Sequence, residues 1–387
     1  MSTVYEKRGV SANKNEVHAA IKNMDKGLYP LAFCKILPDM VGGNTDYCNI
    51  MHADTAGTKT SLAYIWWKET GDISIWEKIV QDAIVMNLDD MGCVGCIDNI
   101  VLSSTIGRNK NLISGDVISA LIQGTKKFTD RLAEMGINIH LAGGETADVG
   151  DIVRTADVGY TAFARLKKSN LVVNNIKGGD VIVGLASYGQ ASYETAYNSG
   201  IGSNGLTSAR HDVLNKATAI KYPEAFDPNT PEEVVFTGQK SITDIDTESG
   251  LKVGELLLSP TRTFLPVLKP ILTELKPKIN GIIHCTGGAQ TKVMKFVEGI
   301  RVVKNNLLPI PHVFRLINNE SGVDWREMYE VFNCGHRLEF YTDKETAKRI
   351  IEISNNFNID AQIIGYCERA EKNELIIESE KGSFEYK

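Results

Sequence analysis

No stretch of this sequence approaches the ~18 consecutive apolar residues needed to cross a bilayer, and Met1 to Val10 hold no apolar signal core. A soluble, cytoplasmic protein with no membrane partner is expected. Nor is there a long basic block. The 42 Lys and Arg residues stand against 48 Asp and Glu, for a net charge of −6, so nucleic acid is not an expected partner and small molecules are. The seven cysteines are scattered and odd in number, which argues for reduced thiols over a secreted disulfide framework. Cys93 and Cys96 make one Cys-x-x-Cys with no second pair and no suitably spaced histidine, so a structural role is expected and not zinc or redox chemistry. No internal repeat, low-complexity tract or Walker A sequence is evident.

What the chain does have is length and apolar content. At 387 residues and 43% hydrophobic composition it exceeds the usual limit of one core and can fill two. Helical and extended segments alternate with short glycine-containing connections, which predicts an α/β (α+β) fold. Apolar residues at Trp76, Ile79, Val80, Ala83 and Ile84 predict an amphipathic helix ending near Gly92, and Ser114 to Met135 repeats the pattern. Thr161 to Leu166 reads as a closing strand, followed by a polar stretch that places a domain boundary near residue 170. The expected domains are 1–170, holding nucleotide and metal, and 171–387, on the substrate side. Residues 188–203, with Tyr188, Tyr193 and Tyr197, and residues 222–250 are long irregular connections of the kind that form lids, binding loops or insertions. Ser259-Pro260 reads as a helix start, with Ser as N-cap.

Chemistry concentrates in three glycine-bearing segments. In His140-Leu141-Ala142-Gly143-Gly144-Glu145-Thr146-Ala147-Asp148 an apolar run breaks at two glycines that deliver a carboxylate and a hydroxyl. Glycine admits a close ligand, and carboxylate oxygen suits a hard cation. Asp54-Thr55-Ala56-Gly57-Thr58-Lys59 follows a strand-like run with an acid, small residues and a lysine. Asp54 would hold magnesium and Lys59 neutralise a phosphate; the alternatives are a plain strand-to-helix turn and, for Glu145, a surface carboxylate. Both Lys59 and Glu145 are expected in loops. Gly281 to Gly288 is another strand running into small residues, with His284 near its end, either a satisfied core histidine or a proton-transfer group.

The ordered set Tyr5-x-x-x-Gly9-Val10, Asp54 to Lys59, Gly143-Gly144-Glu145-Thr146, Ser203-Asn204-Gly205, Pro260-Thr261-Arg262, His284-x-Thr286-Gly287-Gly288 and Glu327-Met328-Tyr329…Phe332-Asn333-Cys334-Gly335 resembles the aminoimidazole ribonucleotide synthetase family, also called phosphoribosylformylglycinamidine cyclo-ligase. The late motifs are the most specific to it. The early ones are shared with formylglycinamidine ribonucleotide synthetase, thiamine-monophosphate kinase, selenide water dikinase and the hydrogenase maturation dehydratase. The resemblance implies a two-domain α/β chain forming a homodimer, with the N-terminal sheets meeting in a barrel-like interface. It also implies ATP and Mg2+, and closure of the imidazole ring of purine biosynthesis through a phosphorylated amide. By that analogy Asp54, Gly57, Thr58, Lys59, Gly143, Gly144, Glu145 and Thr146 handle the nucleotide. Ser203, Asn204, Arg262, Thr286, Gly287 and Gly288 face the substrate, and His284, Lys59 and Asn204 are catalytic.

The chain departs from the family pattern in places. Met86-Asn87-Leu88 stands where Asn-Asp-Leu is usual, Ser103 lies near a further family aspartate, and Ala289 replaces a third glycine. Gln290-Thr291-Lys292-Val293 replaces Phe-x-Glu-Asn. Asp89, Asp90 and Asp98 are the nearby candidates to stand in for the carboxylate missing at Asn87; Asp98 is favoured, giving a metal set of Asp54, Glu145 and Asp98. Competing readings are another ATP-dependent activating enzyme of the same superfamily and a nucleotide-binding relative without catalysis.

Overall fold

The structure, a computed structural model, describes residues 4–10 and 15–387; the reading of Met1 to Val10 therefore lies partly outside the described residues. Two sheets organise the chain. The first contains β1 (Ile36–Pro38), β2 (Tyr47–Thr55), β3 (Ile100–Arg108), β4 (Ile139–Asp148) and β5 (Ala156–Lys167), in the order β1-β2-β5-β3-β4. The second contains β6 (Val181–Ala186), β7 (Ile279–His284), β8 (Ile300–Lys304), β9 (His336–Thr342), β10 (Ala361–Arg369), β11 (Glu374–Ser379) and β12 (Gly382–Tyr386), in the order β12-β11-β8-β10-β6-β9-β7. The architecture is mixed α/β, as the alternation of segments predicts. Among the described residues no helix is long and apolar enough to cross a membrane.

Strand alternation sorts the first sheet into two unlike faces. Cys48 and Ile50 of β2, Val158, Tyr160 and Ala162 of β5, and Ile100, Leu102 and Ile106 of β3 are buried beneath helices Lys59–Thr70, Ile75–Gly92 and Gly115–Glu134. Met51 and Val101, on the other face, instead stay exposed on the chain's surface, Met51 at 62%. The Ile75–Gly92 helix matches the predicted span and is buried on nearly its whole circumference. It lies between this sheet and the second half, where Gly92 meets Leu265 and Leu268 so closely that a Cβ would stand 2.9 Å from Leu268 Cδ1.

Two local expectations fail. Ser259-Pro260 does not start a helix; Leu258 to Phe264 is irregular, and the helix Leu265–Leu275 begins after it. The segment has a better set of partners. Asp82 and Asp89 lie two turns apart on one side of the Ile75–Gly92 helix. Asp82 accepts from Thr261 N–H (2.8 Å) and Oγ1 (2.5 Å), and Asp89 accepts from Thr263 Oγ1 (2.7 Å) and Phe264 N–H (2.9 Å). Satisfying those buried carboxylates holds the segment extended against the helix. The second failure is at Gly143-Gly144, which do not end the strand: β4 continues through Asp148 with a bulge between the Leu102 and Ser104 pairings. Gly143 takes φ +85°, and a Cβ on Gly144 would fall 2.1 Å from Ser104 Oγ. The glycines serve strand packing.

Candidate active site

The C-terminal end of β2, the second half of the Ile75–Gly92 helix and the end of β7 meet at one polar cluster. His52 and Asp54, two apart on β2, share the face turned to the helix. Three residues apart on that helix, Asn87 and Asp90 both reach His52: Nδ1 stands 3.1 Å from Asn87 Oδ1 and Nε2 3.3 Å from Asp90 Oδ2. The second oxygen of Asp90 holds His284 Nδ1 at 2.7 Å. Arg337 Nε donates to His284 Nε2 at 3.2 Å. Since arginine only donates, Nε2 accepts and the ring proton sits on Nδ1, pointing at Asp90.

Electrostatics separates the two histidines. Burial pushes His284 down to about 4 against the pull of Asp90, so it is neutral near pH 7. For His52 burial also opposes charge, but the contacts with Asp90 and Asn87 prevail and raise it. Burial by itself would raise Asp90; the Lys292 ammonium and both histidines hold it well below the usual carboxylate range. Asp54 is raised, chiefly by burial. One of its oxygens accepts from Thr55 N–H at 2.8 Å, and the other has no partner among the described residues.

Several expected roles do not survive this geometry. Lys59 is not in a loop facing phosphate. It opens the Lys59–Thr70 helix, is fully buried, and donates to Asp82 Oδ1 (2.8 Å), Gly202 O (2.9 Å) and Ser259 O (2.6 Å). Three N–H groups meet three acceptors, leaving none for a ligand. His284 is likewise fully buried with both nitrogens occupied, so it cannot pass a proton to substrate. Arg262 is turned inward, bound to both Glu194 oxygens (3.0 and 2.6 Å) and to the carbonyls of Ala186 and Tyr188.

The metal set Asp54, Glu145 and Asp98 is also not assembled within the chain. Asp54 pairs with Tyr160 on the helix-facing side, whereas Glu145 pairs with Thr105 on the opposite face. With β5 and β3 between β2 and β4, they are about 14 Å apart across the sheet at ~4.8 Å per strand. Asp98 lies beyond the other end of β3. Its Oδ1 accepts from Asn138 N–H (2.6 Å) and Nδ2 (3.0 Å), about 20 Å along the strand direction from the Asp54 level at ~3.3 Å per residue. Asp98 therefore does not replace the carboxylate missing at Asn87.

Other expected residues do gather near the cluster. Thr58 Oγ1 lies 2.8 Å from Thr207 Oγ1, which brings the Gly57–Thr58 turn beside Ser203-Asn204-Gly205. Gly205 takes φ +75° under Phe332, whose Cε1 would stand 2.4 Å from a Cβ there, so that position accepts only glycine. Asn333 donates to Gly200 O at 2.8 Å and accepts from Ser187 Oγ at 2.8 Å, bracing the same loop. Thr286, Gly287 and Gly288 follow His284, and Gly287 is exposed. Beneath them, buried Lys304 donates to Gln290 O, Gln290 Oε1 and Glu339, and Gln290 Nε2 donates to Asn333 O. Cys285, His336 and Glu339 place ligand-type atoms within 4.8 Å of one another, but the ammonium is already bound to Glu339. In the insertion, Tyr193 donates to Thr263 O at 2.6 Å, while Tyr197 lines a separate cavity of about 710 Å³. Sequence reading missed His52, Lys292 and Arg337. For His52 a signal existed: it is two residues before Asp54 on a strand, hence on the same face.

Comparison with known proteins fits this arrangement. Residues 34–166 match the family model "AIR synthase related protein, N-terminal domain". A phosphoribosylformylglycinamidine cyclo-ligase of Methanocaldococcus jannaschii is 30% identical over 327 residues, 83% of this chain and 78% of that protein. One from Methanococcus maripaludis is 31% identical, covering 84% and 78%, and one from Caldicellulosiruptor saccharolyticus 28%, covering 85% and 84%. Among solved structures, a chain of a HypE–HypF complex aligns with TM-score 0.55 at 13% identity, over 97% of this chain and 99% of that one. AaThiL complexed with AMPPCP and TMP aligns with TM-score 0.53 at 12% identity, over 96% and 95%; at such identity these two speak for the fold alone. With the sequence match running through both sheets at 30% identity, the chain belongs to the phosphoribosylformylglycinamidine cyclo-ligase family.

Proposed function

We propose that the chain is a ligase that uses ATP to close formylglycinamidine ribonucleotide into aminoimidazole ribonucleotide in purine biosynthesis. The observation that carries the reading is the polar cluster of His52, Asp54, Asn87 and Asp90 beside the Ser203–Gly205 and Thr286–Gly288 loops, in a member of this family. An amide oxygen is a poor leaving group. Once it accepts the terminal phosphoryl group of ATP, an internal nitrogen displaces it as phosphate. The protein's task is to position the reactants and offset charge.

Gly57, Thr58, Ser203 and Asn204 line the approach where the two helix starts meet. The side chains of Ser203 and Asn204 make no hydrogen bond among the described residues, so they are free for the substrate. For magnesium the donor set fits in reduced form. Asp54 has one unengaged oxygen, whereas Asn87 and Asp90 are committed to histidines. One carboxylate plus phosphate oxygens and water is a common way to hold this ion, and when bound it offsets phosphate charge. We assign the exposed face bearing Met51, Val101 and Glu145 to a homodimer interface, where Gly143, Gly144, Glu145 and Thr146 would border the nucleotide.

The test is coupled measurement of ADP and imidazole product with purified protein, ATP, magnesium and formylglycinamidine ribonucleotide. Substrate-dependent ADP release with stoichiometric product is expected. ATP turnover without imidazole would reject the substrate, and nucleotide binding without turnover would reject the catalytic reading.

A further inference from the structure

Lys292 is a charged group that the reading above leaves without a task. It belongs to the short 3-10 helix Ala289–Lys295 just after β7. Its Nζ donates to Thr286 Oγ1 at 2.9 Å and stands 5.0 Å from the centroid of the Phe33 ring, itself stacked on Phe296 at 4.8 Å. The stacked rings fix the direction of the lysine stem. Among the described residues Lys292 forms no ion pair within 4.0 Å. Its bond to Thr286, two residues beyond His284, sets the ammonium beside the polar cluster, where its charge acts on Asp90, Asp54 and His284.

The neighbouring backbone completes an arrangement of donors. Thr286 N–H donates to His284 O at 2.9 Å and Ala289 N–H to Thr286 O at 2.5 Å. The N–H groups of Gly287 and Gly288 between them have no acceptor among the described residues. Gly288 takes φ +89°, Ala289 φ +41°, and the space where a Cβ on Gly287 would sit is open. Successive free N–H groups in such a turn form an anion-binding concavity. An ammonium and a hydroxyl alongside supply further donors, suited to an anion with several oxygens such as phosphate.

We propose that Lys292, with the Gly287 and Gly288 N–H groups and the Thr286 hydroxyl, binds the phosphoryl group carried on the former amide oxygen and holds it as it leaves. The assignment rests on the ring-closure reading. In that step the internal nitrogen forms the C–N bond and later sheds its proton to water. The C–O bond breaks, and its electron pair departs with the oxygen as inorganic phosphate. Negative charge grows on that oxygen, and a cation fixed beside it favours the transition state over the bound reactant.

Inorganic phosphate titrated calorimetrically into wild type, Lys292→Met and Lys292→Arg, with ADP as control ligand, decides the matter. Lys292→Met should weaken phosphate binding about tenfold or more and lower kcat about 10²-fold; Lys292→Arg should recover most of both, with thermal melts unchanged. Equal phosphate affinity in wild type and Lys292→Met, no measurable phosphate binding by wild type, or an arginine variant no better than methionine would overturn the assignment. If wild type makes no imidazole, the ring-closure reading fails, while the phosphate titration still judges the anion site by itself.

Discussion

Replacing Lys59 with methionine should destabilise the whole chain, because its ammonium is an internal clamp. The side chain is fully buried and ties the first sheet's helical layer to Gly202 and Ser259 of the second half. Methionine keeps the length but removes charge and donors. Asp82, also fully buried with Oδ2 already unpartnered, would lose its counter-charge, and two carbonyls would lose a donor. Removing one partner of a buried pair costs about 3–5 kcal/mol. The carbonyl losses, about 1–3 kcal/mol each in isolation, overlap with that figure and do not add to it. Burial already raises Asp82 and lowers Lys59, each against the pull of the other, so an Asp82 left without its counter-charge takes up a proton more readily, which limits the penalty. The expected loss is still a large part of a typical ~5–15 kcal/mol stability. Urea unfolding should show a lower midpoint at unchanged m-value, and adding Asp82→Asn to Lys59→Met should recover part of the loss. A Lys59→Met protein within about 1 kcal/mol of wild type, yet with kcat collapsed, would refute the clamp and return Lys59 to phosphate.

Three further outcomes are expected. His284 is pushed down to about 4 from 6.5, so the unfolded chain binds its proton first as pH falls. Stability from this group is complete above pH 6.5 and declines toward pH 4, by on the order of 3 kcal/mol. Because His211 and His336 are lowered too, urea midpoints should fall with pH in both proteins but more steeply in wild type than in His284→Gln, and equal slopes would refute the assignment. Ala289 holds φ +41° where glycine is at ease, so Ala289→Gly should raise stability by about 1 kcal/mol, read as a higher melting temperature; a lower one would deny the strain. Finally, light scattering should report a dimer at micromolar concentration, and Met51→Asp, on the exposed sheet face, should shift it toward monomer. An unshifted dimer would place the interface elsewhere.

Local patterns along the chain were enough to find the Ile75–Gly92 and Gly115–Glu134 helices and the end of β5, because hydrophobic periodicity acts within a few residues. The ordered motifs likewise reached the family, since each glycine answers a local backbone demand, as Gly205 does under Phe332. Whether a charged side chain faces ligand or protein is not a local property. Lys59 reads the same in either role until Asp82, Gly202 and Ser259 come from distances of 23, 143 and 200 residues to saturate it. His284 is an open base in one dimension and a closed link between Asp90 and Arg337 in three. Asp54 and Glu145 look alike as acids near glycines, yet strand register sends them to opposite faces of one sheet. The sequence by itself determined the elements, the family and the chemical inventory; the tertiary structure decided which groups of that inventory remain free to act, because burial and long-range pairing consume some donors and acceptors and leave others, such as Lys292, unspent.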